Sequence, residues 1–462
     1  MKNWSNFKII MFGLGCVLIV NVNPCWAIAA TYFMATTGND SNPGTIQQPF
    51  RTLERGVKAL VSGDRLMIRG GIYQRGRTDQ YGVLDVPSGS GSWETATTIA
   101  AYAGEKVVIT PYNISAGRDG SDVILFPNER SWIIIDGLIL DGFPGANGTK
   151  SGGRNGIRLS YNGHHFRIIN TEIRHIGGLG ILTVNANYNE FINLKLHDIN
   201  AHWPNGSPNF KLRSYGIYME SDHNLVMGCD IHTNRGWGIN NYSGHEYQPD
   251  YNIFIRNKFH HNERSGLNIG RGTGNVIINN LVYENGTGAT SGDMSDSRYG
   301  IQIGNGTSNT LVFNNTVYSN VLGELTLFPQ AHTVTAMNNI LYGNGSDYTL
   351  KIYSGSSNSL VKHNLIYHRD PVKLIFNDEK SATVSNNLIG AQYDPLFVNA
   401  ATHDFHLIAG SPAIGKGLVL KEVKTDFDDI KRDLGRSFDI GAYAFSSAPL
   451  GKPTNLVINS YK

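Results

Sequence analysis

Cysteine is nearly absent. The 462 residues include 3, namely Cys16, Cys25 and Cys229. The first two fall in an amino-terminal stretch that reads as an export signal. Lys2 and Lys8 precede an apolar run over residues 9–20, and small residues follow at Ala27, Ala29 and Ala30. Removing residues 1–29 leaves Cys229 alone, so an exported chain of this sequence holds together without disulfides. Long apolar runs are missing as well. Beyond the signal, no stretch reaches the ~18 uncharged apolar residues that a spanning helix needs. Charge is scarce, at 16% of residues with a net charge of +2, which excludes the basic excess of a nucleic-acid binder. The expected product is a soluble monomer, secreted or periplasmic, with no membrane span and no nucleic-acid partner.

Asparagine and glycine fill the space those residues leave. Paired asparagines recur in a fixed frame: Ile169-Asn170-Thr171-Glu172-Ile173, Ile192-Asn193-Leu194-Lys195-Leu196, Ile278-Asn279-Asn280-Leu281-Val282, Phe313-Asn314-Asn315-Thr316-Val317, Met337-Asn338-Asn339-Ile340-Leu341 and Ser385-Asn386-Asn387-Leu388-Ile389. The base period is about 23 residues, lengthened by insertions. A second short strand follows, begun by glycine at Gly156, Gly180, Gly216, Gly238, Gly266 and Gly300. Short alternating strands with a constant period and no helix between them predict an all-β solenoid, a right-handed parallel β-helix of about nine coils. Asn170, Asn193, Asn279, Asn314, Asn338 and Asn386 are expected in one inward column, with Cys229 as a small buried substitute in the ladder. The expected organisation is a signal at 1–29, an N-terminal cap and first coils at 30–100, the helix proper at 101–390, a C-terminal cap at 391–446 and a linker-like tail at 447–462.

The two end motifs, Thr37-Gly38-Asn39-Asp40-Ser41-Asn42-Pro43-Gly44-Thr45 and Asp439-Ile440-Gly441-Ala442-Tyr443, flank this repeat. Together they resemble exported bacterial parallel β-helix proteins of the pectate lyase-like superfamily, which includes lyases, epimerases and glycoside hydrolases. The resemblance implies action on a polysaccharide, with calcium as the candidate cofactor; the residues themselves call for none. Pectate lyases with this type of amino-terminal segment carry adjacent aspartates beside a strand. The matching stretch here, residues 214–220, has no paired aspartates.

Insertions at 141–155, 199–214 and 285–299 share one connection, and a further turn is lengthened at 244–252. Both flank the glycine-started strands of the middle coils and so predict a groove along the stack. Alternation turns Arg158, Tyr218, Glu220, Asn240, Tyr242, Asn268, Gln302, Thr326, Lys351 and Tyr353 outward. Arg154, Arg213, Arg235, Arg264 and Arg298 precede the strand glycines, and Lys211, Arg271 and His245 add to that neighbourhood. Planar guanidinium forks match carboxylates, so the expected partner is an acidic polysaccharide.

Elimination on a uronan needs a cation for the carboxylate, a base and an acid. The candidates are Lys211, Arg235 and Arg264 as bases, and Tyr218, Tyr242 and His245 as acids. Arg154, Arg213, Glu220, Asn240, Asn268, Arg271, Arg298 and Gln302 are expected to bind substrate. Hydrolysis would instead pair carboxylates among Glu220, Glu246, Asp293 and Asp296, and a non-catalytic glycan-binding solenoid is the third reading. A second outward column, Arg174, His197, His232, His260, Tyr283, Tyr318, Tyr342 and Tyr367, is expected to stack. Its histidines lack a carboxylate at ligand spacing, so no metal is expected there.

Overall fold

The computed structural model describes residues 29–76, 81–112, 121–143, 153–200, 214–288, 297–304 and 306–446. The export signal and the tail at 447–462 therefore lie outside the described residues, as do Lys211, Arg213, Asp293 and Asp296. No described helix is long and apolar enough to cross a membrane.

Each middle coil contributes one short strand to each of three long parallel sheets, which have 13, 12 and 10 strands. The middle coils show the rule: Val276–Ile278 joins the first sheet, Leu281–Tyr283 the second and Tyr299–Ile303 the third. This is the right-handed parallel β-helix expected. The stack is longer than the asparagine frame indicates, because Thr31–Met34, Arg65–Ile68 and Thr97–Ala101 extend the first sheet without that motif. The helix Leu53–Ala59 packs here; Thr52 caps it by accepting from Arg55 N, and Gly56 lies so close to Leu66 that a Cβ would clash.

One inward residue per strand builds the core. Ile168, Phe191, Val226, Phe254, Ile277 and Val312 lie one above another with at most 1% exposure. No coil can bury these side chains alone, so stability is shared between neighbours.

The inward asparagine column is one residue further along the chain than expected. Asn170, Asn193, Asn279, Asn314, Asn338 and Asn386 form the corner between the first and second sheets, all at φ between 50° and 58°. A residue in the left-handed region turns the chain and throws its side chain outward; asparagine tolerates that conformation better than most residues. Asn170, Asn193 and Asn386 are exposed. The other three are covered from outside, where Asn279 donates to Thr425 O, Asn314 to Gly441 O and Asn338 to Leu418 O.

The following residue points in. Asn257, Asn280, Asn315, Asn339, Asn364 and Asn387 form the ladder, each Nδ2 donating to the next Oδ1 at 2.9–3.0 Å. Cys229 belongs to this column, as expected. Its N–H donates to Asn257 Oδ1, and burial pushes its thiol up to about 12, so it is not a reactive thiolate at neutral pH. Two further ladders occupy the other corners: Asn234, Asn262, Asn285 and Asn320, and Asn189, Asn224 and Asn252.

Asn280 accepts from Asn257 N and Nδ2 and donates to Phe254 O and Asn315 Oδ1. Asn280→Ala leaves the Asn257 N–H without its acceptor and takes one hydrogen bond each from Asn257 Nδ2, Phe254 O and Asn315 Oδ1, at ~1–3 kcal/mol for an unsatisfied group, and it leaves a cavity in the core. Urea unfolding should show a loss of about 3 kcal/mol or more. Asn193→Gly, at the neighbouring corner position, keeps a residue suited to positive φ and should cost less than about 1 kcal/mol.

From Phe397 onward the chain returns along the outside of the stack. Leu420, Val423 and Phe438 cover Met227, Ile255, Ile278 and Phe313 of the first sheet, while Phe405 and Tyr443 cover Leu281 and Tyr283 of the second. Arg256 pairs with Asp429 across this seam. Two faces of the middle coils are thereby occupied, and the third sheet is left open.

Candidate active site

The third sheet places one outward residue per coil in a single column. Its register runs Arg158, Leu182, Tyr218, Asn240, Asn268, Gln302, Thr326, Lys351. Neighbouring strands are ~4.8 Å apart, so the column is a ruler along the helix axis. A cleft of about 800 Å³ opens over its middle. Of the candidate residues, Tyr218, Asn240, Tyr242, Asn268, Arg271 and Gln302 line it.

Asn268 Nδ2 donates to Asn240 Oδ1 at 2.6 Å, and Ser265 Oγ donates to Gln302 Oε1 at 3.1 Å, so the floor is a fixed row of amides. Arg271 follows the strand Leu267–Ile269, and its guanidinium carbon lies 5.1 Å from the centre of the Tyr242 ring. Gly270 makes this possible, since a Cβ there would stand 2.8 Å from Tyr242 Cδ2. Gly304 and Gly306 keep the adjoining wall low.

Sequence reasoning missed the aromatic wall. Tyr215 and Trp237 pack edge to face at 4.9 Å, Tyr215 and Tyr218 at 5.3 Å, and Phe328 lines the cleft in a later coil. A signal was present. An aromatic residue stands immediately before the strand glycine at Tyr215-Gly216, Trp237-Gly238 and Tyr299-Gly300.

The arginines ahead of the strands stand elsewhere. Arg154, Arg235, Arg264 and Arg298 are half-buried in the preceding turns and are not among the residues that line the cleft. Burial holds the Arg264 guanidinium below its usual range; the Arg298 charge adds to this and Glu263 opposes it. Arg154 and Arg158 flank Asp122, whose carboxyl burial pushes up to about 6 against their attraction. Glu220 is buried, while His245 and Glu246 are exposed on the 244–252 turn; none of the three lines the cleft. Among the described lining residues there is no Asp or Glu. That set does not fit a calcium ion, which takes six to eight oxygen ligands rich in carboxylate.

On the second sheet the expected stack is present. His197 and His232 lie 5.0 Å apart with planes 4° from parallel, His232 and His260 4.7 Å and 7°, His260 and Tyr283 4.7 Å and 3°. One point needs correcting: a carboxylate does stand at ligand spacing, because Asp230 Oδ1 meets His260 Nε2 at 2.9 Å, and Asp230, His232 and His260 form a potential metal-binding trio. The stack argues against shared coordination. An imidazole binds an ion in its own plane, and the His232 and His260 rings are stacked, with centres 4.7 Å apart and planes only 7° from parallel, so their in-plane lone pairs do not converge on one point. Burial and the neighbouring His260 push His232 down to about 4. His197 is held above its ordinary value; burial opposes this, but hydrogen bonds to Asp198 and Glu172 outweigh it.

The family model for the "Pel9A-like, right handed beta helix region" matches residues 32–236, and that for the "Right handed beta helix region" matches residues 215–389. The chain belongs to the right-handed β-helix superfamily. Among solved members, pectate lyase Pel9A superposes with a TM-score of 0.58 at 17% identity, over 90% of this chain and 96% of that one. XylC in complex with xylose gives 0.52 at 12% identity, over 92% and 99%. These likenesses are of fold. Pectate lyase PEL9 of Emericella nidulans is 26% identical over 124 residues, which is 25% of this chain and 29% of the relative. The uncharacterized protein YwoF of Bacillus subtilis is 28% identical over 144 residues, 31% of this chain and 28% of that protein. The chain thus spans less than a third of either curated relative. Within the β-helix superfamily, its cleft lies on the sheet that the returning C-terminal segment leaves open.

Proposed function

We propose that this β-helix protein is a polysaccharide lyase that cleaves a uronic acid-containing polysaccharide by β-elimination in the cleft over the third sheet. The observation that carries the reading is the Arg271–Tyr242 contact above a floor of amides. Elimination breaks the C5–H bond beside the carboxylate and the C4–O glycosidic bond, forms a C4–C5 double bond and returns a proton to the leaving oxygen. Arg271 offers a planar fork to the uronate carboxylate, which spreads the charge that builds up as C5 loses its proton. Tyr242, held against Arg271, is the proton-transfer group: its oxygen takes the C5 proton as a phenolate and the phenol so formed gives it to the leaving oxygen, while Asn240, Asn268 and Gln302 hold sugar hydroxyls. Aromatic rings at the wall suit the apolar faces of sugar rings. The lack of carboxylates among the described lining residues speaks against hydrolysis, which needs a pair of them.

Incubation with a panel of uronans and neutral glycans, with and without calcium, tests this. The expected result is a rising ultraviolet absorbance from the conjugated unsaturated uronate on at least one uronan. New reducing ends without that absorbance would mean hydrolysis. Binding should weaken with salt, and Arg271→Ala should reduce both the affinity and its salt dependence.

A further inference from the structure

Tyr242 and Arg271 come from consecutive coils, and one residue outside the cleft ties them together. Asn241 ends the strand Ile239–Asn241 and stands directly before Tyr242. Alternation turns Asn240 out into the cleft and Asn241 inward, where it is fully buried. Its Nδ2 donates to Arg271 O at 3.2 Å and to Pro249 O at 3.1 Å. Its own carbonyl accepts from Gly270 N at 2.8 Å and from Arg271 N at 3.3 Å. Both backbone polar groups of Arg271 therefore meet this one residue. Pro249 belongs to the 244–252 turn, whose Gln248 lines the cleft. Gly272, next after Arg271, lies so close to Pro249 O that a Cβ would clash. Asn241 is fixed in turn from the ladder of Asn189, Asn224 and Asn252, because its Oδ1 accepts from Asn252 Nδ2 at 2.9 Å.

Resting on the elimination reading, we propose that Asn241 is a positioning residue for the reaction, which sets the seat of Arg271 over Tyr242 without touching substrate. Arginine is a long side chain with much rotamer freedom. Its guanidinium is located by where its backbone starts and by what it packs against. Asn241 fixes the start, and the ring of the residue that follows Asn241 supplies the packing, at 5.1 Å. Cation and proton-transfer group are thus referred to one buried amide. A catalytic group misplaced by about 1 Å costs on the order of 100-fold in rate. The same amide holds the turn that carries Gln248, so the cleft wall shares the anchor.

The test compares Asn241→Ala with Asn189→Ala in the full chain. Asn189 is equally buried, and its side chain likewise donates twice and accepts once, but to Ala186 O and Asn224 Oδ1 and from Phe166 N. The two variants should lose similar thermal stability. On a uronan that the wild type cleaves, kcat/KM should fall on the order of 100-fold in Asn241→Ala and by less than about twofold in Asn189→Ala. In an Arg271→Ala background, Asn241→Ala should cost less than about twofold more, since no guanidinium is left to position. If Asn241→Ala does not fold, Asn241→Ser keeps one donor and should show the same pattern at about tenfold. Equal losses in the Asn241 and Asn189 variants, or losses that add in the double variant, overturn the proposal. A crystal structure of the Asn241 variant reads the geometry without activity: Arg271 should have left the Tyr242 ring, and an unmoved guanidinium overturns the proposal. A wild type that cleaves no uronan overturns the elimination reading and the catalytic role with it, while the crystal structure still decides whether Asn241 holds Arg271.

Discussion

Tyr242→Phe should slow uronan cleavage by on the order of 100- to 10,000-fold, with KM changed little. The substitution removes one oxygen and keeps the ring on which Arg271 rests, so substrate binding and the cleft wall survive. What is lost is the proton transfer itself, and a positioned acid or base contributes ~100- to 10,000-fold. Initial rates from the ultraviolet absorbance of the unsaturated product give the result directly. Tyr218→Phe is the control, because Tyr218 lines the same cleft one coil before Asn240 and packs against Tyr215. A loss confined to Tyr218→Phe would move the chemistry to the aromatic wall. If neither variant loses rate, the proton passes elsewhere, and Lys211, outside the described residues, becomes the next candidate.

The second large effect is on stability. Glu324 is fully buried and ends the ladder that begins at Asn234, accepting from Asn320 N at 3.2 Å and from Asn320 Nδ2 at 2.6 Å. Burial pushes its carboxyl up to about 8, although the Asn320 hydrogen bonds pull the other way. In the unfolded chain the same group titrates near 4.5. Between those values the folded protein holds one proton more than the unfolded one, so stability is greatest below about pH 4.5 and falls as pH rises toward 8. One proton corresponds to a slope of about 1.4 kcal/mol per pH unit. Glu324→Gln, a neutral side chain of the same shape, should remove that component. Urea unfolding at several pH values should give wild-type and variant curves that diverge from about pH 5 to 8, with the variant the more stable at pH 8. Parallel curves would mean that Glu324 ionises normally. Asp122 adds a slope of its own over a narrower window, up to about pH 6, but it is common to both proteins and cancels in the difference.

The repeat carried most of the architecture openly. A glycine-started strand and simple alternation placed Tyr218, Asn240, Asn268 and Gln302 in one outward column, and the register agrees. Asparagine pairs were harder, because two adjacent asparagines give no sign of which one turns the corner and which one enters the core. The answer lies in the backbone: the first takes positive φ, as at Asn279, and the second then faces inward, as at Asn280. The arginines before the strand glycines sit in turns, where neither period applies, and so their direction was not legible. Phe328 and the seating of the C-terminal segment depend on contacts between parts of the chain far apart in sequence. First coils were expected within 30–100, but their register was not legible, because they build the same sheets from Leu66, Ile68 and Ile99 without an asparagine.

The ladders have a grain. In each, the backbone N–H and the Nδ2 of one asparagine both donate to the Oδ1 of the coil that follows, as Asn257 does to Asn280 and Asn262 to Asn285. The backbone N–H at each ladder position is thus satisfied by the successor coil, while the amide Nδ2 also reaches back to a carbonyl of the coil before, as Asn280 does to Phe254 O. Cutting the stack from its carboxyl end leaves a backbone N–H without its acceptor, while cutting from the amino end strips both donors from an Oδ1 and one of two acceptors from the same amide's Nδ2. The solenoid is vectorial at the level of single amides, and erosion from its two ends is not equivalent.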